Sequence, residues 1–267
     1  MKIVNFKSGL GNQVFYYLLC LYLKEKHPKE EIYGFYNPEW LKTHSGLELD
    51  YAFEVKLPPQ TAWSKIVTNF ARIGSKFVKG LRVTDNNFSE DAFFYDGYWQ
   101  DKKFFLDNVR NIQFRERPLS ERNKELLDMI QNSESISIHI RRGDYLASEN
   151  QNQYGGICTL DYYQKAIEIM QKRIDSPIFF VFSNDIIWVK ENMDIPNPVY
   201  VDNNKGKDSY MDMYLMSRCK GNILANSSFS YWGAMLNTNK SQIVIYPKKW
   251  FNTHTPDIFM SNWIGVD

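Results

Sequence analysis

Cysteine is scarce in this chain: Cys20, Cys158 and Cys219 are the three in 267 residues. Their spacing is wide and contains no CxxC pair, which excludes a disulfide framework and a cysteine-built zinc site. Long apolar runs are lacking too, and none approaches the roughly 20 residues that cross a bilayer. The opening MKIVNF has no signal-type apolar region and no small-residue cleavage site. The expectation is therefore a reducing, cytoplasmic compartment. An excess of charge is also missing: Lys+Arg is 32 and Asp+Glu is 31, a formal net charge of +1. That argues against nucleic acid as a partner. The apolar fraction of 43% and charged fraction of 24% exclude global disorder.

Aromatic residues, by contrast, are abundant, with 7 Trp, 17 Tyr and 18 Phe. Core packing is the plain use for them. The functional use is a platform, because an apolar ring face stacks on the C–H face of a pyranose.

The pattern alternates strand with helix. Lys2–Phe6 is β-rich, Ser8–Gln13 (SGLGNQ) is a glycine loop, and Val14–Lys26 is apolar at helical density and stops before Pro28. Glu31–Tyr36 reads as a second strand. A less regular middle ends in a helix over Leu119–Gln131 with Ser120 as its cap. From Ser135 the strands Ser135–Ile140, Pro177–Phe182, Val199–Asp202, Asn222–Ala225 and Gln242–Tyr246 (the last expected) alternate with helices over Asp161–Arg173, Asp185–Met193, Ser209–Arg218 and Ser230–Leu236. Such alternation implies parallel βαβ crossovers in a doubly wound α/β fold. Ligands then bind beyond the carboxyl ends of the strands. Two domains are expected, 1–132 and 133–267.

Gly9-Leu-Gly11-Asn-Gln-Val14 nearly matches the dinucleotide fingerprint, but Val14 stands where Gly or Ala is needed, and Tyr36-Asn37 where an acid would hold a ribose. A nicotinamide dinucleotide is therefore not expected. What remains is a close backbone approach and a helix start that favours an anion, or a plain tight turn.

The residues after three strands are more informative. HIRRGDY (His139–Tyr145) places Arg141 and Arg142 at a strand end, where guanidinium groups meet phosphate through paired hydrogen bonds; one of them is free to pair with Asp144 instead. Alternation puts His139 and Arg141 on one face and Arg142 on the other. FSND ends in Asp185, either an acceptor for a guanine edge or ribose, or a simple helix cap. NSSFSYWGA brings Ser227, Ser228 and Phe229 to a helix start, with hydroxyls, backbone N–H groups and the positive end of the helix dipole. Arginines, a carboxylate and serines at one sheet edge fit a nucleoside diphosphate.

SGLGNQ, FYDGYWQ (Phe94–Gln100), HIRRGDY, FSND and the run from Asp212 through NSSFSYWGA together resemble the bacterial-type α-1,2-fucosyltransferases, glycosyltransferase family 11. One departure is Tyr231, where many members carry Trp. The resemblance implies a GT-B-like architecture of two Rossmann-like domains facing a cleft, with 1–132 on the acceptor side and 133–267 binding GDP-fucose. It implies inverting transfer of fucose to the 2-OH of a terminal galactose in a surface glycan such as O-antigen. It further implies that Arg142 meets the β-phosphate, that His139, Arg141, Asp185, Ser227, Ser228 and Phe229 line the nucleotide site, and that Asn12 reaches across the cleft. Tyr98 and Trp99 are the expected acceptor platform. Relatives with another acceptor, or a nucleotide-binding module without catalysis, are the alternatives.

The chain contains no Asp-x-Asp pair, by which many sugar transferases hold a divalent ion. No cofactor or metal is expected; Arg142 and the helix start at Ser227 would replace it with fixed positive charge. A carboxylate is the expected base, in the order Glu149, Asp144, Asp96.

Residues 61–83 contain no acid. Trp63, Ile66, Val67, Phe70, Ile73, Phe77 and Leu81 recur at helical spacing, with Lys65, Arg72, Lys76 and Lys79 on the other face. Two readings follow: an interfacial helix on anionic lipid, useful if the acceptor is lipid-linked, or a helix packed on its own domain with solvated lysines.

Overall fold

The computed structural model describes residues 1–42, 45–75, 78, 80–143 and 148–267, and at 148 and 149 the backbone only. The chain divides into two compact units, Met1–Arg115 and Glu116–Asp267. The division falls earlier than the expected one after 132. The reason is the helix Glu121–Gln131, whose Leu126 and Ile130 pack with Phe180, Phe182, Leu215 and Met216 of the second unit.

The first unit runs β1 (Lys2–Phe6), α1 (Leu10–Lys26), β2 (Ile32–Tyr36), α2 (Pro38–Leu41), α3 (Leu49–Ala52), α4 (Ala62–Gly74), β3 (Arg82–Val83) and β4 (Phe94–Tyr95). Its strands lie in the order β2-β1-β4-β3, all parallel. The glycine loop is shorter than the sequence suggests, since α1 starts at Leu10. Gln13 closes it: its amide donates to the carbonyls of Ser8 (3.0 Å) and Gly46 (2.8 Å) and accepts from the Glu48 N–H (2.9 Å). Helix α4 ends at Gly74, and Arg82–Val83 is a strand, so the basic segment is not one helix to residue 83.

The second unit runs α5 (Glu121–Gln131), β5 (Ser135–Ile140), α6 (Ser148–Tyr154), α7 (Leu160–Arg173), β6 (Ile178–Ser183), α8 (Ile186–Asn192), β7 (Pro198–Val201), α9 (Tyr210–Met216), β8 (Gly221–Ile223), α10 (Ser228–Met235), β9 (Ile243–Pro247) and β10 (Ile264–Val266). Helices α5, α7 and α8 begin on the side-chain caps Ser120, Thr159 and Asp185. The last strand is β10, not Gln242–Tyr246; its three residues are too short for a sequence pattern.

The sheet order is β10-β9-β8-β5-β6-β7, all parallel. It is covered on both faces, as parallel sheets are. Ile136, Ile138 and Ile140 of β5 join Tyr162, Ala166 and Met170 of α7 on one face. Phe180 and Phe182 of β6 join α5 and α9 on the other. The chain starts at β5, builds outward through β6 and β7, then returns to build β8, β9 and β10 on the opposite side. The order reverses between β5 and β8. Ligands of doubly wound sheets bind in the crevice at such a reversal.

Candidate functional site

Around the reversal point, the loop after β5 carries Arg141 and Arg142, and the one after β8 leads to Ser227. Register places Ile140 opposite Ser183, so the loops after β5 and β6 also adjoin. All three strand ends named from the sequence thus meet at one edge of the second unit.

Arg142 is held at three points. Its backbone N–H donates to Asn184 Oδ1 at 3.0 Å, and its Nε lies 3.4 Å from Asp185 Oδ2. Its guanidinium stacks on the Trp188 ring, 3.4 Å from the centroid. Its terminal amino groups have no partner among the described residues. Asp185 is itself fixed, since its Oδ1 caps α8 by accepting from the Trp188 N–H at 3.2 Å. The structure shows the cap reading of Asp185, and the same carboxylate also orients an arginine, a role the sequence did not suggest. Gly143 leaves room for this contact, since a Cβ there would stand 2.2 Å from Asn184 Nδ2 and displace the amide that accepts from Arg142.

His139 is buried on the α5 and α9 face of β5, and its ring lies 5.9 Å from that of Phe229 on α10. Its carbonyl accepts from the Tyr163 hydroxyl at 2.9 Å, while its Nδ1 is buried without a partner among the described residues. Burial first, then the positive charge of Arg141, pushes its imidazole down to about 3. At neutral pH it is an uncharged ring. Ser227 caps α10, accepting from the Phe229 N–H at 3.4 Å; Ser227 is buried, and Ser228 and Phe229 are half-buried. Asn226 anchors the start of that turn, donating to the carbonyls of Trp250 (3.1 Å) and Tyr154 (3.3 Å).

Sequence reasoning missed Asn184, Trp188 and Tyr163. The first two sit one before and three after Asp185, a spacing that a helix capped at Asp185 would have exposed. Also missed was an amide cluster past β7: Asn123 Nδ2 donates to Asn204 Oδ1, and Asn204 Nδ2 to Asp212 Oδ1, each at 2.8 Å. Desolvation pushes Asp212 up to about 7, against the lowering effect of the Asn204 bond.

Of the expected bases, Asp144 lies outside the described residues, and Glu149 is placed by its backbone alone, in the first turn of α6. Asp96 is described in full, and its surroundings do not suit a base. It is buried in the first unit past β4, and accepts from Asn5 (2.8 Å) and Lys7 (3.1 Å), with Arg82 at 2.6 Å. Burial would raise its pKa, but the Lys7 charge, the Asn5 and Lys7 hydrogen bonds and Arg82 outweigh it and hold the carboxyl below its ordinary range. A carboxylate so stabilised takes up a proton poorly.

Trp99 is likewise not the expected platform. It is 1% exposed and packs edge-on against Phe88, Tyr95 and Phe104. It sits in the left-handed region at φ 57°, where its N–H donates to Asp85 Oδ1 at 2.6 Å. Tyr98 is half-buried, with Lys7 Nζ 4.8 Å from its ring centroid. Asn12 Oδ1 accepts from Gln100 Nε2 at 3.1 Å, joining the two motifs of the first unit. Beyond the ends of β1 and β4, Lys7, Trp40, Arg72, Arg82 and Asp96 line a cavity of about 860 Å³.

Among the described residues, no helix is long and apolar enough to cross a membrane. The first unit's sheet and the reversal in the second are the features of GT-B transferases. The protein is similar in fold to the fucosyltransferase NodZ from Bradyrhizobium, with a TM-score of 0.51 and 14% identity over 88% of this chain and 92% of that one. In sequence it is 30% identical over 295 residues to an alpha-1,2-colitosyltransferase of Escherichia coli, covering 99% of this chain and 98% of the relative. It is 29% identical over 300 residues to the O-antigen biosynthesis glycosyltransferase WbnK of the same species, covering 97% and 98%. The human galactoside alpha-(1,2)-fucosyltransferase 1 is 25% identical over 139 residues, 49% of this chain and 38% of that one. The profile of glycosyl transferase family 11 matches residues 55–267, and the protein belongs to that family.

Proposed function

We propose that the protein transfers L-fucose from GDP-fucose to the 2-OH of a terminal galactose in a glycan, with inversion at C1. One observation carries the donor side of this reading: a guanidinium braced by a carboxylate and an indole at the sheet's reversal point, its terminal donors unpartnered among the described residues. A nucleoside diphosphate is the ligand class that such an edge suits. Fucose, the α-1,2 linkage and the galactoside acceptor are supported by the names of the relatives.

In the reaction the bond from C1 to the β-phosphate oxygen breaks, and negative charge grows on the departing GDP. Arg142 and the N-terminus of α10 meet that charge with donors already in place, so little reorganisation is needed as the bond breaks. Arg141 and neutral His139 flank the same edge, and Phe229 closes one side of it. The acceptor hydroxyl gives its proton to Glu149, which follows the arginine loop; Glu149→Gln then lowers kcat with little change in KM. Because the chain supplies fixed charge and has no Asp-x-Asp pair, transfer persists in EDTA.

A second donor is favoured by the 30% identity to an alpha-1,2-colitosyltransferase. Colitose differs from fucose in lacking the 3-hydroxyl. Incubation with GDP-fucose or GDP-colitose, each against a panel of β-galactosides, with the linkage read by NMR, tests both. An α-1,2-linked fucosyl galactoside formed in EDTA is the expected product. Turnover of GDP-colitose alone overturns the donor assignment, and binding of GDP without turnover of either sugar overturns catalysis.

A further inference from the structure

Helix α4 packs the wrong way round for a helix of a soluble domain. Its buried residues are small: Ser64, Thr68 and Ala71, with Ala71 against Ile3, Phe35 and Phe94 of the sheet. Its large apolar residues face solvent: Trp63 is 66% exposed, Ile66 49%, Phe70 70% and Ile73 62%. At about 100° per residue these four fall on a single stripe, with Lys65 and Arg72 along its flank. The plainer expectation, an apolar face laid on its own domain, is thus not what the fold does. The stripe is not scattered exposure, which would need no explanation.

We infer that the first unit docks on an anionic lipid bilayer through this stripe. Charge complementarity selects the occupant. Between residues 61 and 81 the sequence carries Lys65, Arg72, Lys76 and Lys79 and no acid. Large apolar side chains beside a cationic flank, on a helix lying flat, are what the headgroup and acyl boundary accepts. Each cation near an anionic leaflet adds attraction, which salt then weakens. A capping box of Thr61 and Ser64 fixes the first turn, so the stripe is presented by an already formed helix.

The same helix gives Asn69, Arg72 and Ile73 to the lining of the cavity in the first unit. On the transferase reading, an acceptor carried on a lipid meets the protein at this border. The docking itself does not depend on which sugar is moved.

The test is sedimentation of the full chain with vesicles of phosphatidylcholine containing phosphatidylglycerol, or of phosphatidylcholine alone, at low and at physiological salt. Binding is expected on the anionic vesicles and at least about tenfold weaker on neutral ones. Trp63→Ser with Phe70→Ser is expected to lower binding by at least about tenfold, and Lys65→Glu by less. These side chains are exposed, so circular dichroism and Tm stay unchanged, as does transfer to a soluble galactoside. No binding to anionic vesicles at low salt overturns the inference, as does binding that the double variant leaves intact. Self-association in the absence of lipid, abolished by the double variant, makes a second copy the occupant and also overturns it. Failure of transfer with vesicle binding intact would instead strike the proposed reaction.

Discussion

Both units end their parallel strands in charged residues, and they dispose of that charge in opposite ways. In the first, the Asp96 carboxylate closes on Asn5, Lys7 and Arg82, so its negative charge is met within the unit. In the second, Arg142 is steadied by one carboxylate oxygen at 3.4 Å and by an indole face, which leaves its terminal amino groups without a partner among the described residues. A carboxylate whose hydrogen bonds and charges are complete is a structural part. A guanidinium held at its Nε with its terminal donors unpartnered among the described residues is placed to receive an anion. Sequence alone ranks Asp96 and Arg142 together as catalytic candidates; both have an ion-pair partner, and what separates them is that the Asp96 oxygens are taken while the terminal amino groups of Arg142 are not, among the described residues.

The sharpest way to break this contrast is to remove the arginine. Arg142→Ala is expected to cost roughly 2–4 kcal/mol of transition-state stabilisation, about 30- to 1000-fold in kcat/KM for the donor. Arg142→Lys restores the charge but neither the paired donors nor the flat stack, and recovers only part of the rate. Near-normal turnover by Arg142→Ala would remove the phosphate role.

Asp96→Asn tests the other half. Lys7 and Arg82 lose their counterion but have side chains 22% and 42% exposed, so water takes over part of the loss. The expected cost is about 1–2 kcal/mol of stability, read as a lower Tm, with turnover within about threefold of wild type where the protein is folded. A loss of about 100-fold or more in kcat at unchanged Tm would instead make Asp96 the base.

The elements were largely legible because alternating strand and helix patterns are local. β1 and β5 match the sequence reading residue for residue, and Ser120 and Asp185 mark helix starts by chemistry that acts within three residues. The strand-end motifs were legible as well, since a parallel sheet brings successive carboxyl ends to one edge. What was not legible depends on distant neighbours. The Asp96 cage draws Asn5 and Lys7 from the end of β1 and Arg82 from β3. Trp99 looks like a platform until Phe88 and Phe104 close over it. Periodicity shows that α4 has an apolar stripe, but only the packing of Ala71 on the sheet shows that the stripe faces out.

The bracing of Arg142 can be weakened without touching its charge. Trp188→Ala removes the indole beneath the guanidinium, and at about 1–2 kcal/mol for a partly desolvated stack the donor kcat/KM falls about 5- to 30-fold. Trp188→Phe recovers part of it, because a ring face remains. If position 188 tolerates Ala with unchanged donor kinetics, the guanidinium is held by Asp185 alone.

The smallest effect concerns His139, which the same sheet edge keeps uncharged. Its pKa is about 3 in the folded protein, against an ordinary value near 6.5 once unfolded. As pH falls below about 6.5 the unfolded chain takes up this proton and the folded one does not. Stability is therefore lost as pH falls from about 6.5 toward 3, and is unaffected above that window. At pH 5.5 the loss is about 1 kcal/mol, or roughly 2–4 °C in Tm. Comparing wild type with His139→Gln at pH 7.5 and 5.5 subtracts whatever the other histidines contribute. A steeper fall for wild type is expected. Parallel profiles would mean that His139 protonates in the folded protein, and that the ring at this sheet edge carries charge of its own.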